Sequence, residues 1–113
     1  MTTSQRAALS ELLELTRPVA ELANLIHAFP YDYGGLPVVL TKAHLVHALH
    51  SCVNGRMTCL ELENWADLIE GRPGIDFQFG AEEKLAGVLF KLSTPDINGP
   101  LTPQRCWELL KDL

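Results

Sequence analysis

Breaks in the chain, more than its apolar content, limit what it can fold into. Pro18, the "PYDYGGLP" stretch at 30–37, Gly55, "GRPG" at 71–74, Pro95 and Pro103 each interrupt an apolar-periodic run before it grows long. Proline removes a backbone donor and clashes inside a helix, and glycine adopts the left-handed conformation that ends one. Between these breaks apolar residues recur at helical spacing. The expected fold is therefore all-α, a single compact bundle of five to six short helices over residues 1–113.

Each segment carries its own boundary signals. Ser4 is placed to cap a helix over 4–15 that presents Ala8, Leu9, Leu12, Leu13 and Leu15. Thr16 is expected to cap a second helix, or a kinked continuation, burying Val19, Leu22, Leu25, Ile26 and Phe29. After a loop and a briefly extended "VVL", Thr41 opens "KAHLVHALHSCVN", which Gly55 stops. Thr58 and Glu61 match the capping box, in which hydroxyl and carboxylate satisfy each other's backbone donors, so a fourth helix should run over 59–70. Ile75, Phe77 and Phe79 alternate in "IDFQF", a short extended piece expected to cover the core and too little to build a sheet. A fifth helix, "AEEKLAGVLFKLS", carries Leu85, Val88, Leu89 and Leu92 and stops before Pro95. Thr102 and Pro103 open the last, 103–112, buried through Cys106, Trp107 and Leu110; Trp65 and Trp107 both lie on apolar stripes and are expected in the core.

Composition narrows the class. A chain of 113 residues with 47% hydrophobic and 20% charged residues has the balance of one globular domain. Three cysteines, an odd number lying in or beside helical patterns, form no disulfide framework and point to a reducing cytoplasm. The N-terminal segment carries Glu11 and Glu14 within its apolar pattern, unlike a secretory signal or transit peptide, and no apolar run reaches membrane-spanning length. A net charge of −5 argues against direct binding of nucleic acid.

That charge is concentrated. From Glu61 to Glu83 there are seven acids and one base, Arg72, a balance of −6 within a total of −5, so the rest of the chain stands at +1. Glu63, Asp67 and Glu70 recur at i, i+4 and i+7 on the fourth helix, and Asp76, Glu82 and Glu83 follow. An acidic helix face often serves only solubility. Here the crowding of like charge exceeds that need, and such crowding speeds encounter with a basic partner. Paired carboxylates also serve glycosidase chemistry, but that requires a cleft and a raised pKa on one member, which nothing in the chain announces.

"HLVHALHSC", at 44–52, raises a metal question. On a helix His47 lies about 300° and His50 about 240° round from His44, and His44 and His50 are about 9 Å apart along the axis, too far for one ion. The plain reading is exposed or rim histidines on an amphipathic helix. The face they share with Ser51 and Asn54 is polar yet nearly free of formal charge, which also suits a protein partner. "PYDYGGLP" is equally open: either its tyrosines, Tyr31 and Tyr33, are recognition aromatics, or Phe29, Tyr31 and Leu36 close one end of the bundle. No phosphate-binding glycine loop, CxxC, HExxH or nucleophile elbow is present, so no catalytic residue, metal or cofactor is assigned and an enzyme is not expected.

The stretch "LTKAHLVHALHSCVNGRMTCLELENWADLIEGRPGIDF", with the later "STPDINGPLTPQRCWELL", resembles small bacterial immunity-type proteins of the contact-dependent-inhibition or bacteriocin-associated kind. Its features are a helix, a short turn, an acidic helix with a Trp-Ala pair and an "IDF" element. The resemblance implies a cytoplasmic protein that neutralises a cognate toxin by tight stoichiometric binding, with a partner and no substrate. The charge argument makes that toxin basic, such as a nuclease, and places Glu63, Asp67, Glu70, Asp76, Glu82 and Glu83 at the interface with Tyr31 and Tyr33 as anchors. Two alternatives remain at this stage: a metal- or ligand-binding regulatory domain using His44, His47 and His50, and a small homo-oligomeric interaction subunit.

Overall fold

The computed structural model describes residues 4–113, with all their side chains except that of Asn98; Met1 to Thr3 of the acid-bearing N-terminal segment lie outside the described residues. In chain order the elements are α1 (Gln5–Glu14), α2 (Val19–His27), β1 (Val38–Leu40), α3 (Lys42–Val53), α4 (Cys59–Ile69), β2 (Ile75–Phe77), α5 (Glu82–Ser93), α6 (Pro95–Asn98) and α7 (Pro103–Asp112). The protein is mainly helical, as its punctuation requires. The described residues hold seven helices, one more than the upper expectation, because Pro95 opens a single extra turn, α6, which Gly99 closes at φ +96°.

Local chemistry sets most helix starts. Ser4, Thr41, Thr58 and Thr102 each accept a backbone N–H from the first turn of the helix they precede. The Thr58–Glu61 capping box forms as expected, with Thr58 N–H donating to the Glu61 carboxylate at 2.9 Å and Glu61 N–H to the Thr58 hydroxyl at 3.0 Å. Thr41 has a counterpart that the sequence did not announce. Its N–H donates to Nδ1 of His44 at 2.9 Å, so an imidazole stands in the place of the usual carboxylate. Thr16, expected to cap α2, instead donates its hydroxyl to Glu11 at 2.9 Å, and Pro18 occupies the cap position with no side-chain bond. The chain reverses there through Leu15, the one non-glycine with positive φ among the described residues, whose left-handed turn lets the amides of Leu15 and Thr16 bond back into α1.

A small sheet forms where none was expected. β1 and β2 pair in parallel with Val38 opposite Ile75, Val39 opposite Asp76 and Leu40 opposite Phe77, flanked by bonds from Val38 N–H to Gly74 O and from Gln78 N–H to Leu40 O. Three-residue strands are too short to show a period, and their partners are distant in sequence, so only tertiary packing creates the pair. α3 and α4 supply the crossover that parallel strands need. The Gln78 side chain then accepts the N–H of Lys42, tying the end of β2 to the first turn of α3.

The core is one contiguous cluster drawn from every helix except α6, together with β1. Trp65 lies at its centre, fully buried, and its indole N–H donates to Leu12 O at 2.7 Å, fastening α4 to α1. Trp107, also expected in the core, is instead 43% exposed, with the Lys111 ammonium 5.7 Å from its ring centre. α7 packs on α3 through Cys106 and Leu109, which turns the Trp107 ring to the helix flank. Among the described residues no helix is long and apolar enough to cross a membrane.

Candidate interaction surface

The acidic segment begins on α4, whose buried stripe Leu62, Trp65, Ala66 and Ile69 turns the carboxylates outward. Glu63 is half-buried, and Asp67, Glu70, Asp76, Glu82 and Glu83 are exposed. Asp67 overhangs a groove of about 340 Å³ between α2 and α4, floored by Val19, Ala20, Ala23 and Leu68. Partial burial over that apolar floor pushes its carboxyl above the usual aspartate value. Glu70 sits past the last turn of α4 as its C-cap, and Glu82 and Glu83 lie in the first turn of α5, where the helix dipole favours negative charge. No single cavity gathers the six. They follow the chain from the α2–α4 groove, past the β2 strand, to the start of α5.

None of the six is neutralised by an ion pair among the described residues, where the one pair is Arg17 with Glu11 at 3.0 Å. Between Asp76 and Glu82 in the chain stands a residue that the alternation of "IDFQF" misassigned. Phe79, expected to help cover the core, is 95% exposed. β2 ends at Phe77, and the chain then turns through Gly80 (φ +84°), so the alternation no longer points Phe79 inward. Phe79 is thus a bare ring lying in sequence between Asp76 and the Glu82–Glu83 pair, whose three carboxylates are exposed as well.

The two tyrosines have defined local work. Tyr31 donates its hydroxyl to Gly71 O at 2.9 Å and lies under the Arg72 guanidinium, 5.3 Å from ring centre to charge, so the 30–37 loop is pinned against the turn that follows Glu70. Its ring stays 57% exposed beside the acidic run. Tyr33 is half-buried, donates to Leu36 O and packs on Gly74 so closely that a Cβ there would come within 2.6 Å of the ring. Tyr31 therefore offers contact area, whereas Tyr33 mainly closes its loop.

The histidines of α3 diverge. His44 is engaged with Thr41, His47 faces a cleft of about 430 Å³ with Arg17 and Arg56, and His50 is exposed. Among the described residues no group of three or more His, Cys, Asp or Glu side chains is arranged to hold a metal ion. Within the cleft the Ser51 hydroxyl donates to the His47 backbone carbonyl, Arg17 is held by Glu11 and Glu61 by the capping box. The side chains of Ser51, Arg17 and Glu61 thus serve local structure first.

Fold and surface together define a small helical bundle with a largely exposed run of acidic side chains from α4 to α5 and a bare Phe79 within that stretch of chain. Comparison with protein-family models, curated protein sequences and solved structures finds no match to this chain.

Proposed function

We propose that this chain is a binding protein of the immunity type, which neutralises a basic bacterial toxin, such as a nuclease, by stoichiometric association and performs no catalysis of its own. The observation that carries the reading is Phe79, an almost fully exposed ring in the stretch of chain that holds Asp76, Glu82 and Glu83, which are exposed and not ion-paired among the described residues. Leaving an aromatic in water gains the isolated fold nothing, and the helix dipole accounts for Glu82 and Glu83 but not for Asp76, whereas at an interface the ring supplies an anchor and the acids steer encounter. Tyr31, exposed and held at the turn that follows Glu70, offers a second aromatic contact, and the Asp67 groove offers a carboxylate above an apolar floor to a lysine or arginine whose aliphatic stem lies on the alanines.

The test is co-expression with the product of the adjacent gene, followed by titration of the purified pair. A stoichiometric complex is expected, with association slowed by added salt and by Glu82→Lys plus Glu83→Lys. Phe79→Ala should weaken it at least tenfold while leaving the melting temperature unchanged, since the ring buries nothing in the free protein. A complex indifferent to both substitutions and to salt would refute this interface.

A further inference from the structure

Cys52, Cys59 and Cys106 are scattered in sequence, yet the fold brings them together where α3, α4 and α7 meet. Cys52 lies on the inner face of α3, Cys59 is the first residue of α4, and Cys106 lies on the inner face of α7. The sulfurs of Cys52 and Cys59 are 3.3 Å apart, in thiol–thiol contact across the Asn54–Thr58 turn, and the Cys106 thiol lies near enough to influence the titration of Cys52. Cys52 and Cys106 are buried, whereas Cys59 is partly open to solvent. The binding role proposed above uses none of them.

We propose that Cys52 and Cys59 form an oxidisable dithiol that a hydroperoxide closes into an intramolecular disulfide, with Cys59 the sulfur that meets the oxidant. The Cys59 thiolate attacks one peroxide oxygen, the O–O bond breaks, and the leaving oxygen departs with a proton as water or an alcohol. Cys59 is left as a sulfenic acid. The Cys52 sulfur then attacks the Cys59 sulfur, the S–O bond breaks, and the hydroxyl leaves as water with the Cys52 proton. Overall two thiols and one hydroperoxide give one disulfide, one alcohol or water and one further water, with the sulfurs oxidised by two electrons and the peroxide reduced by two.

Three features favour this pair. Exposure selects Cys59 as the first site, because the other two sulfurs are shielded. Proximity selects Cys52 as the second, since the sulfurs need approach by only about 1.2 Å to reach the bond length of about 2.05 Å, a shift within reach of side-chain rotation and the intervening turn. That turn contains Gly55, the residue most able to adjust. Burial, and then contact with the Cys52 thiol, hold Cys59 up at about 11, so the thiol is mostly protonated at neutral pH and closure is slow there.

The experiment treats the reduced full chain with excess hydrogen peroxide at mildly alkaline pH, alkylates the remaining thiols in denaturant and maps tryptic peptides without reduction. Trypsin cuts after Lys42, Arg56 and Lys84, and after Arg105 and Lys111, while Pro73 protects Arg72, so each cysteine falls on a different peptide. The expected product joins peptides 43–56 and 57–84, leaves 106–111 alkylated and reverts with dithiothreitol. Cys59→Ser should abolish the link, and Cys106→Ser should preserve it. Three thiols still alkylatable, a link involving 106–111, or Cys59 carried to the sulfinic acid without a link would each overturn the proposal. The wild-type map decides these cases even if a variant fails to fold.

Discussion

His44 holds its place in the Thr41 box by accepting a hydrogen bond at Nδ1, which requires the neutral ring. Burial lowers its pKa below the ordinary value of 6.5, with His47 adding to the effect and Glu14 opposing it. The folded state thus refuses a proton that the unfolded chain accepts. Stability should be level above pH 6.5, fall as pH drops through that value, and level again only below the folded pKa. Urea midpoints between pH 5 and 8 check this, and His44→Gln, which keeps an acceptor without a titration, should flatten the curve. Trp65 offers a second residue-scale test. Trp65→Phe keeps most of the ring volume but strips Leu12 O of its indole donor, an expected loss of about 1–3 kcal/mol readable from the shift in urea midpoint.

Among the elements, those governed by neighbours in sequence were the legible ones. The caps at Ser4, Thr41, Thr58 and Thr102 and the stop at Gly55 are decided within a few residues, so α1, α3, α4 and α7 stand where the sequence places them. Thr58→Ala should cost about 1 kcal/mol, measured by thermal unfolding, because the first turn of α4 then loses its hydroxyl acceptor. What the sequence concealed depends on distant partners. The β1–β2 pair, the outward turn of Trp107 and the bare ring of Phe79 follow from how helices dock, and no local pattern encodes that docking. Of the candidate surface, the acids were readable as a charge imbalance, but Phe79 was not, since its alternation with Ile75 and Phe77 is that of an inward residue. Gly74 joins the local and distant scales. Its φ of +90° and its contact with the Tyr33 ring leave no room for a Cβ, so Gly74→Ala should cost more than about 1 kcal/mol and free the 30–37 loop, seen as faster amide exchange there.

For the whole molecule, charge and stability pull in opposite directions at Asp67. Asp67 has its carboxyl raised by burial, so its ionised form weakens the free fold: stability falls as pH rises from the ordinary carboxylate value of 3.8 towards the higher folded value and stays lower above it. Asp67→Asn should therefore raise the melting temperature at pH 7, with the gain vanishing in acid, and should at the same time weaken association with a basic partner. A side chain kept only for solubility would show no loss in the second measurement.

The parallel strand pair carries a kinetic consequence. Helices such as α1 and α5 close contacts along short stretches of chain, whereas Val38 reaches Gly74 only after the intervening helices have condensed and the large loop they span has been closed. The hairpin-free sheet is thus expected to register late, after the transition state. Truncating Leu40, which is wholly buried in that pair, should accelerate unfolding while leaving the refolding rate nearly untouched in stopped-flow traces.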